Sequence, residues 1–244
     1  MSVSPSPAID REELAELNER FETASPEQIL GWAATRFPTD IILTCSFQHE
    51  GVVIAHMLRS IRPDIPVVFI DTRFHFKEVL EYRDQITNLL GLNLKVIESK
   101  VSFDDFKAKY GADLNRRDPD LCCKINKVDP LLAALKGVKA WLNGRRRDQT
   151  AERTEIGFVD MQGPIVKINP LAAWTAKDTF RYLNAHNLPL NPLFEKGYSS
   201  IGCEPCTALP TDGDERSGRW AGSGKRECGI HTILDSSGES GGND

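Results

Sequence analysis

No apolar run in this sequence reaches the roughly 20 residues that a helix needs to cross a bilayer, so a membrane span is not expected. The N-terminus, MSVSPSPAID, lacks the basic segment and apolar stretch of a secretory signal. A cytoplasmic location follows as the expectation, with no membrane partner. An excess of positive charge is missing too. The formal net charge is −5, which argues against general nucleic-acid binding. No internal repeat is present. The stretch TCSFQHEG has no glycine before Gly51, so it is not a Walker-type phosphate loop, and ATP hydrolysis or ATP-dependent adenylation is not expected.

What is present suits one large globular domain: 244 residues, 40% hydrophobic and 27% charged. Positive charge gathers locally in GRRRDQTAER and ERSGRWAGSGKRE. Small basic clusters on an acidic chain fit a small anionic ligand better than a polynucleotide. Residues 1–8, rich in Ser and Pro, read as disordered. Helices are predicted at 10–22 and 26–36, the second opened by the cap SPEQ with Pro in its first turn. Strands at 40–46, 65–71 and 92–99 then alternate with helices at 50–61 and 76–91. A helix over KVDPLLAAL, a strand at 138–144, and a strand within 164–174 leading into the helix TAKDTFRYLNAHN continue the rhythm. Continuous β-branched runs suit parallel strands covered on both faces. The expected fold is therefore a doubly wound, mostly parallel α/β sheet, with residues 9–208 as its domain and 209–244 as a flexible tail. In such sheets ligands sit outside the C-terminal strand ends, where TCSFQHEG, IDTRFHF and NGRRRDQ should converge.

Six cysteines are present, and in a reducing compartment grouped cysteines point to metal or redox chemistry rather than disulfides. DLCCKINK supplies Cys122 and Cys123, and IGCEPCT supplies Cys203 and Cys206. Four thiolates can hold a tetrahedral zinc or a 4Fe–4S cluster. Adjacent side chains diverge unless the backbone bends, so two neighbouring thiolates reach separate iron corners more readily than one ion. The cluster is the preferred reading. The bland alternative is a pair of small packing cysteines on a helix. Cys45 should pack in the strand beneath its loop, and Cys228 stands alone in the charged stretch GKRECGIHT.

The combination CC…CxxC, RRDQ, RSGRW and ECGIH resembles the assimilatory adenylyl-sulfate reductases, members of the sulfonucleotide reductase family, over about residues 40–231. That resemblance implies an adenine-nucleotide α-hydrolase-like fold. It also implies thioredoxin-dependent reduction of adenosine 5′-phosphosulfate to sulfite and AMP, for cysteine biosynthesis. Cys228 would be the nucleophile and carry an S-sulfocysteine, with Lys225, Arg226 and His231 favouring its thiolate. One 4Fe–4S cluster per chain would sit on Cys122, Cys123, Cys203 and Cys206. Substrate contacts are expected from Ser46, Lys127, Arg146, Arg147, Arg216, Arg219 and His231, because arginine offers forked hydrogen bonds to phosphosulfate oxygens. Lys127 matches a family lysine between cluster and substrate. His49 and His75 are candidates to touch the nucleotide, or equally structural histidines. Glutaredoxin stands as the alternative reductant, and a homo-oligomer is compatible with the sequence.

Departures from the family pattern are Arg73 where a glycine is common, Ala208 where an arginine frequently follows CxxC-Thr, and a missing aromatic run after Trp220. Two rival functions stay open at this point. One is 3′-phosphoadenylyl-sulfate reduction on the same fold, although relatives with that specialisation typically lack the four cysteines. The other is a non-catalytic, zinc-stabilised nucleotide-binding module in which Cys228 is incidental.

Overall fold

The structure, a computed structural model, describes residues 9–211, 215–221, 223, 225, 227, 229 and 230. Six short strands form its sheet: β1 (Ile41–Thr44), β2 (Val67–Asp71), β3 (Leu94–Glu98), β4 (Ala140–Leu142), β5 (Val159–Gln162) and β6 (Ile165–Ile168). Their spatial order is β3-β2-β1-β4-β6-β5, with every neighbouring pair parallel except β5 and β6. The predicted mostly parallel sheet is therefore present. The antiparallel edge strand β5 is an addition that no expectation covered. It joins β6 through a tight turn at Gly163, whose φ of +56° is one that glycine adopts without steric cost.

Burial on both faces follows the two-residue alternation of the strands. Ile41, Leu43, Val67, Phe69, Ala140 and Leu142 face a large cluster completed by α1 (Arg11–Phe21), α2 (Pro26–Arg36), α3 (His49–Ile61), α4 (Lys77–Leu90) and α9 (Ala176–Ala185). Ile42, Val68 and Trp141 point the other way, onto Leu131 of α8 (Asp129–Ala134) and Leu135. Helix α2 starts as its sequence requires. Ser25 accepts from the Gln28 amide, the Gln28 side chain accepts from the Ser25 N–H, and Pro26 occupies the first turn.

Between β3 and α8 the chain forms α5 (Phe103–Tyr110), α6 (Leu114–Arg117) and α7 (Pro119–Cys123), then a π-helical turn over Lys124–Val128. The short helix α10 (Pro192–Glu195) follows α9. Among the described residues no helix is long and apolar enough to cross a membrane. From β1 the strand order runs one way to β2 and β3 and the other way to β4 and β6, so the topological switch point lies between β1 and β4.

Candidate active site

At the switch point the loop after β1 and the loop after β4 meet at very close range. A Cβ on Gly144 would lie 2.6 Å from Glu50 Cβ, so only glycine lets the β4 loop approach the first turn of α3. Likewise a Cβ on Gly51 would lie 2.6 Å from Cys45 Sγ. Cys45 itself is buried beneath the loop, accepts from the Phe47 N–H at 3.3 Å, and is pushed up to about 12 by desolvation. Such a thiol stays protonated and packs. Above it opens a cavity of about 450 Å³, lined from the β1, β2 and β4 strand ends, from Phe194 and residues 197–203, and from Glu215, Arg216, Arg219, Trp220, Glu227 and Ile230. Ser46 lines it, accepting from Gln48 Nε2 at 3.3 Å. The N-terminus of α3 has no side-chain cap, and Gln48, His49, Glu50 and Gly51 of its first turn line the cavity.

The arginines divide into two sets. Arg146 is 2% exposed and lines the cavity, with Nε 3.0 Å from Glu50 Oε1 and Nη1 2.7 Å from Asp148 Oδ1. Arg216 and Arg219 also line it, and Arg219 Nη1 donates to the Ile201 carbonyl at 3.3 Å while its guanidinium lies 4.5 Å from the Trp220 ring centroid. Arg147 is placed elsewhere. A 3₁₀ turn begins at this residue and aims it at α1, where Nη2 meets Glu22 Oε1 at 2.7 Å and Nε donates to the Ile156 carbonyl at 3.0 Å. It does not border the cavity.

Two further arginines that the sequence reading did not single out do border it: Arg145 and Arg153. Burial, and then the neighbouring Arg153, hold Arg145 below its ordinary value. Both lie in the basic stretch GRRRDQTAER, so the signal was present, but only the fold says which side chains turn inward. His49 is stacked on Phe194 at 3.7 Å between ring centroids and sits edge-on to Phe180. Its Nε2 is buried with no hydrogen-bond partner among the described residues, and desolvation drives it down to about 4, so it is neutral at pH 7. Trp220 Nε1 is similarly buried without a partner among the described residues, and both residues line the cavity.

A second, small cavity lies beside the first, lined by Cys122, Cys123, Cys203 and Cys206 together with Phe74, Asn115, Pro119, Asn126, Lys127 and Pro205. Both cysteine pairs thus reach one place. The CxxC segment is fastened to the end of β2: Thr72 Oγ1 lies 3.2 Å from Cys203 Sγ, His75 pairs with Cys203 as an antiparallel bridge, and the Glu204 N–H donates to the Phe74 carbonyl at 2.7 Å. The π-helical turn begins directly after Cys123 and supplies the local backbone distortion that adjacent converging thiols require. Desolvation, reinforced by the other three cysteines, pushes Cys122 up to about 12, and Cys206 is raised by burial and by Cys203. Among the described residues no group of three Cys, His, Asp or Glu side chains is placed to hold a metal ion. Lys127, 8% exposed on the π-helical turn, lines both cavities.

Cys228, His231 and Arg226 lie outside the described residues. The sequence neighbours Glu227 and Ile230 both line the large cavity. Glu227 is a residue the sequence reading missed, and it pairs with Arg153 at 2.8 Å and Arg216 at 3.3 Å.

A doubly wound sheet with an arginine-lined cleft at its switch point belongs to the open α/β class, in which ligands bind at that cleft. The family described as phosphoadenosine phosphosulfate reductase domain matches residues 40–209. A Chelativorans protein named adenosine 5′-phosphosulfate reductase is 42% identical over 235 residues, 95% of this chain and 96% of that protein. One of the same name from Anoxybacillus flavithermus is 40% identical over 83% of this chain and 88% of its own length. Among solved structures, the phosphoadenylyl-sulfate reductase of Candida auris in its phosphate complex superposes with a TM-score of 0.76 at 30% identity, covering 83% of this chain and all (100%) of that one. The FMN adenylyltransferase of Candida glabrata, at 15% identity and a TM-score of 0.53 over 83% of this chain and 65% of its own, shares the fold alone. The chain belongs to the phosphoadenosine phosphosulfate reductase family.

Proposed function

We propose that this chain reduces adenosine 5′-phosphosulfate to sulfite and AMP in sulfate assimilation, with Cys228 as nucleophile and thioredoxin as reductant. The observation that carries the reading is the meeting, at one switch-point cavity, of buried arginines, a cysteine-lined pocket and the sequence neighbours of Cys228. Relatives about 40% identical over most of the chain, named for the unphosphorylated substrate, support the same choice over the 3′-phosphorylated one.

The reaction balances with thiols alone. The Cys228 thiolate attacks the sulfur of the phosphosulfate, the sulfur–oxygen bond to the phosphate breaks, and AMP leaves with the electron pair. The enzyme then carries an S-sulfocysteine (S–SO3−) at Cys228. A thioredoxin thiolate attacks Cys228 Sγ and expels sulfite, and the second thioredoxin thiol resolves the mixed disulfide, supplying both electrons. Glutaredoxin would fit the same chemistry.

The leaving phosphate and the sulfonate both gain charge toward oxygen, so fixed cations are the groups that accelerate the first step. Arg145, Arg153, Arg216, Arg219 and Lys127 are cationic candidates bordering the cavity, with Ser46 and the N-terminus of α3 as neutral donors. Arg146 is largely engaged by Glu50 and Asp148, so its part is to hold the two loops together. Neutral His49 is suited to donate or accept a hydrogen bond without adding charge.

Cys122, Cys123, Cys203 and Cys206 fit a 4Fe–4S cluster. They line one pocket, and the adjacent thiols of Cys122 and Cys123 would reach two iron corners of a cluster more readily than they would share one ion. Bound there, the cluster would pin the two segments and set the local electrostatics, with Lys127 between it and the substrate. The test is product analysis. Anaerobic protein with reduced thioredoxin should release sulfite and AMP in equal amounts from adenosine 5′-phosphosulfate, and far more slowly from its 3′-phosphorylated form. AMP without sulfite would sink the reading.

A further inference from the structure

Resting on that reading, we infer that Glu227 is a positioning residue. Its carboxylate holds its own stretch of chain on Arg153 beside the cavity, and so governs how readily the adjacent Cys228 reacts.

The two groups form a fork-to-fork pair. Arg153 Nε and Nη2 donate to the two Glu227 oxygens, each at 3.0 Å, and Arg216 adds a third contact at 3.3 Å. Such bidentate, charge-assisted pairs fix direction as well as distance. The receiving side is rigid. Arg153 is 6% exposed on a 3₁₀ turn and also donates to the Gln149 side chain, whose Oε1 in turn accepts from the Arg146 N–H. The arginine is thus built into the loop after β4, the same loop that closes the switch point.

Two more contacts hold the segment on either side. Lys225 pairs with Asp120 of α7, two residues before Cys122. Ile230 packs with Ile70 against the apolar cluster of Ile42, Val68 and Trp141. Gly229 lies between these anchors with a φ of +76°, a value suited to glycine. Lys225, Glu227 and Ile230 therefore bracket Cys228 with three different kinds of contact. Of the three, the Glu227 contact is the one made by the residue adjacent in sequence to the thiol, and it is made with two arginines that line the cavity.

The docking must also be reversible, because the reductant is a protein and needs access to the same sulfur. An ion pair suits this better than an apolar plug. It is strong when half-buried, as at Glu227 with a side chain 32% exposed, and it weakens with salt or on competition by substrate oxygens for Arg153 and Arg216.

The test compares Glu227→Gln, Arg153→Lys and wild type, each with its iron content confirmed. The first readout is the single-turnover rate of sulfo-adduct formation on Cys228 at saturating adenosine 5′-phosphosulfate, with thioredoxin omitted. The second is AMP affinity, and the third is the rate at which iodoacetamide alkylates Cys228 without nucleotide. The expected result for Glu227→Gln is adduct formation slowed by about tenfold or more, on the scale of a lost charge-assisted hydrogen bond. AMP should bind no more weakly, and alkylation should be faster. High salt should raise alkylation in wild type and leave the variant unchanged. Arg153→Lys should fall between the two. Adduct formation at the wild-type rate in both variants would overturn the inference. So would a loss of AMP affinity parallel to the loss of rate, since the pair would then shape the ligand pocket rather than the segment. If wild type itself formed no adduct, the proposed reaction would fail, while the alkylation arm would still report whether Glu227 docks the segment.

Discussion

Arg146 Nε stands 3.0 Å from Glu50 Oε1 and joins the loop after β4 to the first turn of α3, the two segments that frame the switch point. The guanidinium also holds Asp148, whose Oδ2 accepts from the Ala176 N–H at the start of α9. One cation therefore ties three elements. Arg146→Ala leaves the carboxylate of Glu50, only 15% exposed, without its partner. We predict a loss of about 3 kcal/mol or more of unfolding free energy. Arg146→Lys should lose less, because charge is retained and only the fork is lost. Urea unfolding of both variants measures this, and an unchanged midpoint for Arg146→Ala would remove Arg146 from its place as the hub.

Arg73, at a position where the family commonly has glycine, has a φ of +62° in the left-handed region. Its side chain compensates by donating to Glu98 at 3.0 Å and to the carbonyls of Val101 and Ser99 at 2.8 and 2.9 Å. Both Arg73→Ala and Arg73→Gly lose those bonds, but only alanine keeps the unfavourable backbone. The glycine variant should therefore be the more stable of the two by roughly 1 kcal/mol, the reverse of the usual order. Thermal unfolding decides it, and an alanine variant at least as stable as the glycine variant would contradict the backbone argument.

The pH response of stability should carry the mark of His49. Desolvation, and secondarily Arg146, lower it to about 4, well below the ordinary value near 6.5. Below that ordinary value the unfolded chain takes up a proton that the folded chain refuses. Stability therefore falls as pH drops from about 6.5 toward 4, by up to about 3 kcal/mol from this residue. His49→Phe, which preserves stacking on Phe194, should flatten that part of the curve. His75, lowered mainly by burial, accounts for some of what is left. Identical slopes for wild type and the variant between pH 7 and 5 (chemical denaturation at each pH) would show that His49 is not held neutral.

Removing one cysteine should empty the whole site. Anaerobically prepared wild type should contain about four iron and four sulfide per chain. Cys203→Ser, which also disturbs the contact with Thr72, should lose most of both. Elemental analysis with sulfide determination reads this directly, and one zinc per chain in place of iron would return the quartet to a structural ion.

Much of this architecture is legible in the sequence because its signals are local. The strands β1, β2 and β4 open on unbroken apolar residues and β6 departs only at Lys167, which suits strands covered on both faces. Strand β5 escapes because Val159–Gln162 is short, half polar and an edge strand, defined by its partner β6 rather than by its own pattern. Helix α10 escapes for its length of only four residues. The site is legible as a set of motifs but not as a set of directions. In the run Arg145, Arg146, Arg147 all three residues look alike, and only the 3₁₀ turn sends Arg147 to Glu22 while Arg145 and Arg146 face the cavity. Glu227 opens the ECGIH motif, but its role is not legible there, since its partner Arg153 lies 74 positions away.

The most direct measurement is the intact mass, with peptide mapping, of reduced protein incubated anaerobically with adenosine 5′-phosphosulfate and no thioredoxin. The account predicts the added mass of one sulfonate, located on Cys228, and release of that mass as sulfite when reduced thioredoxin is supplied. Cluster-replete protein that binds AMP but gains no mass on Cys228 would contradict it.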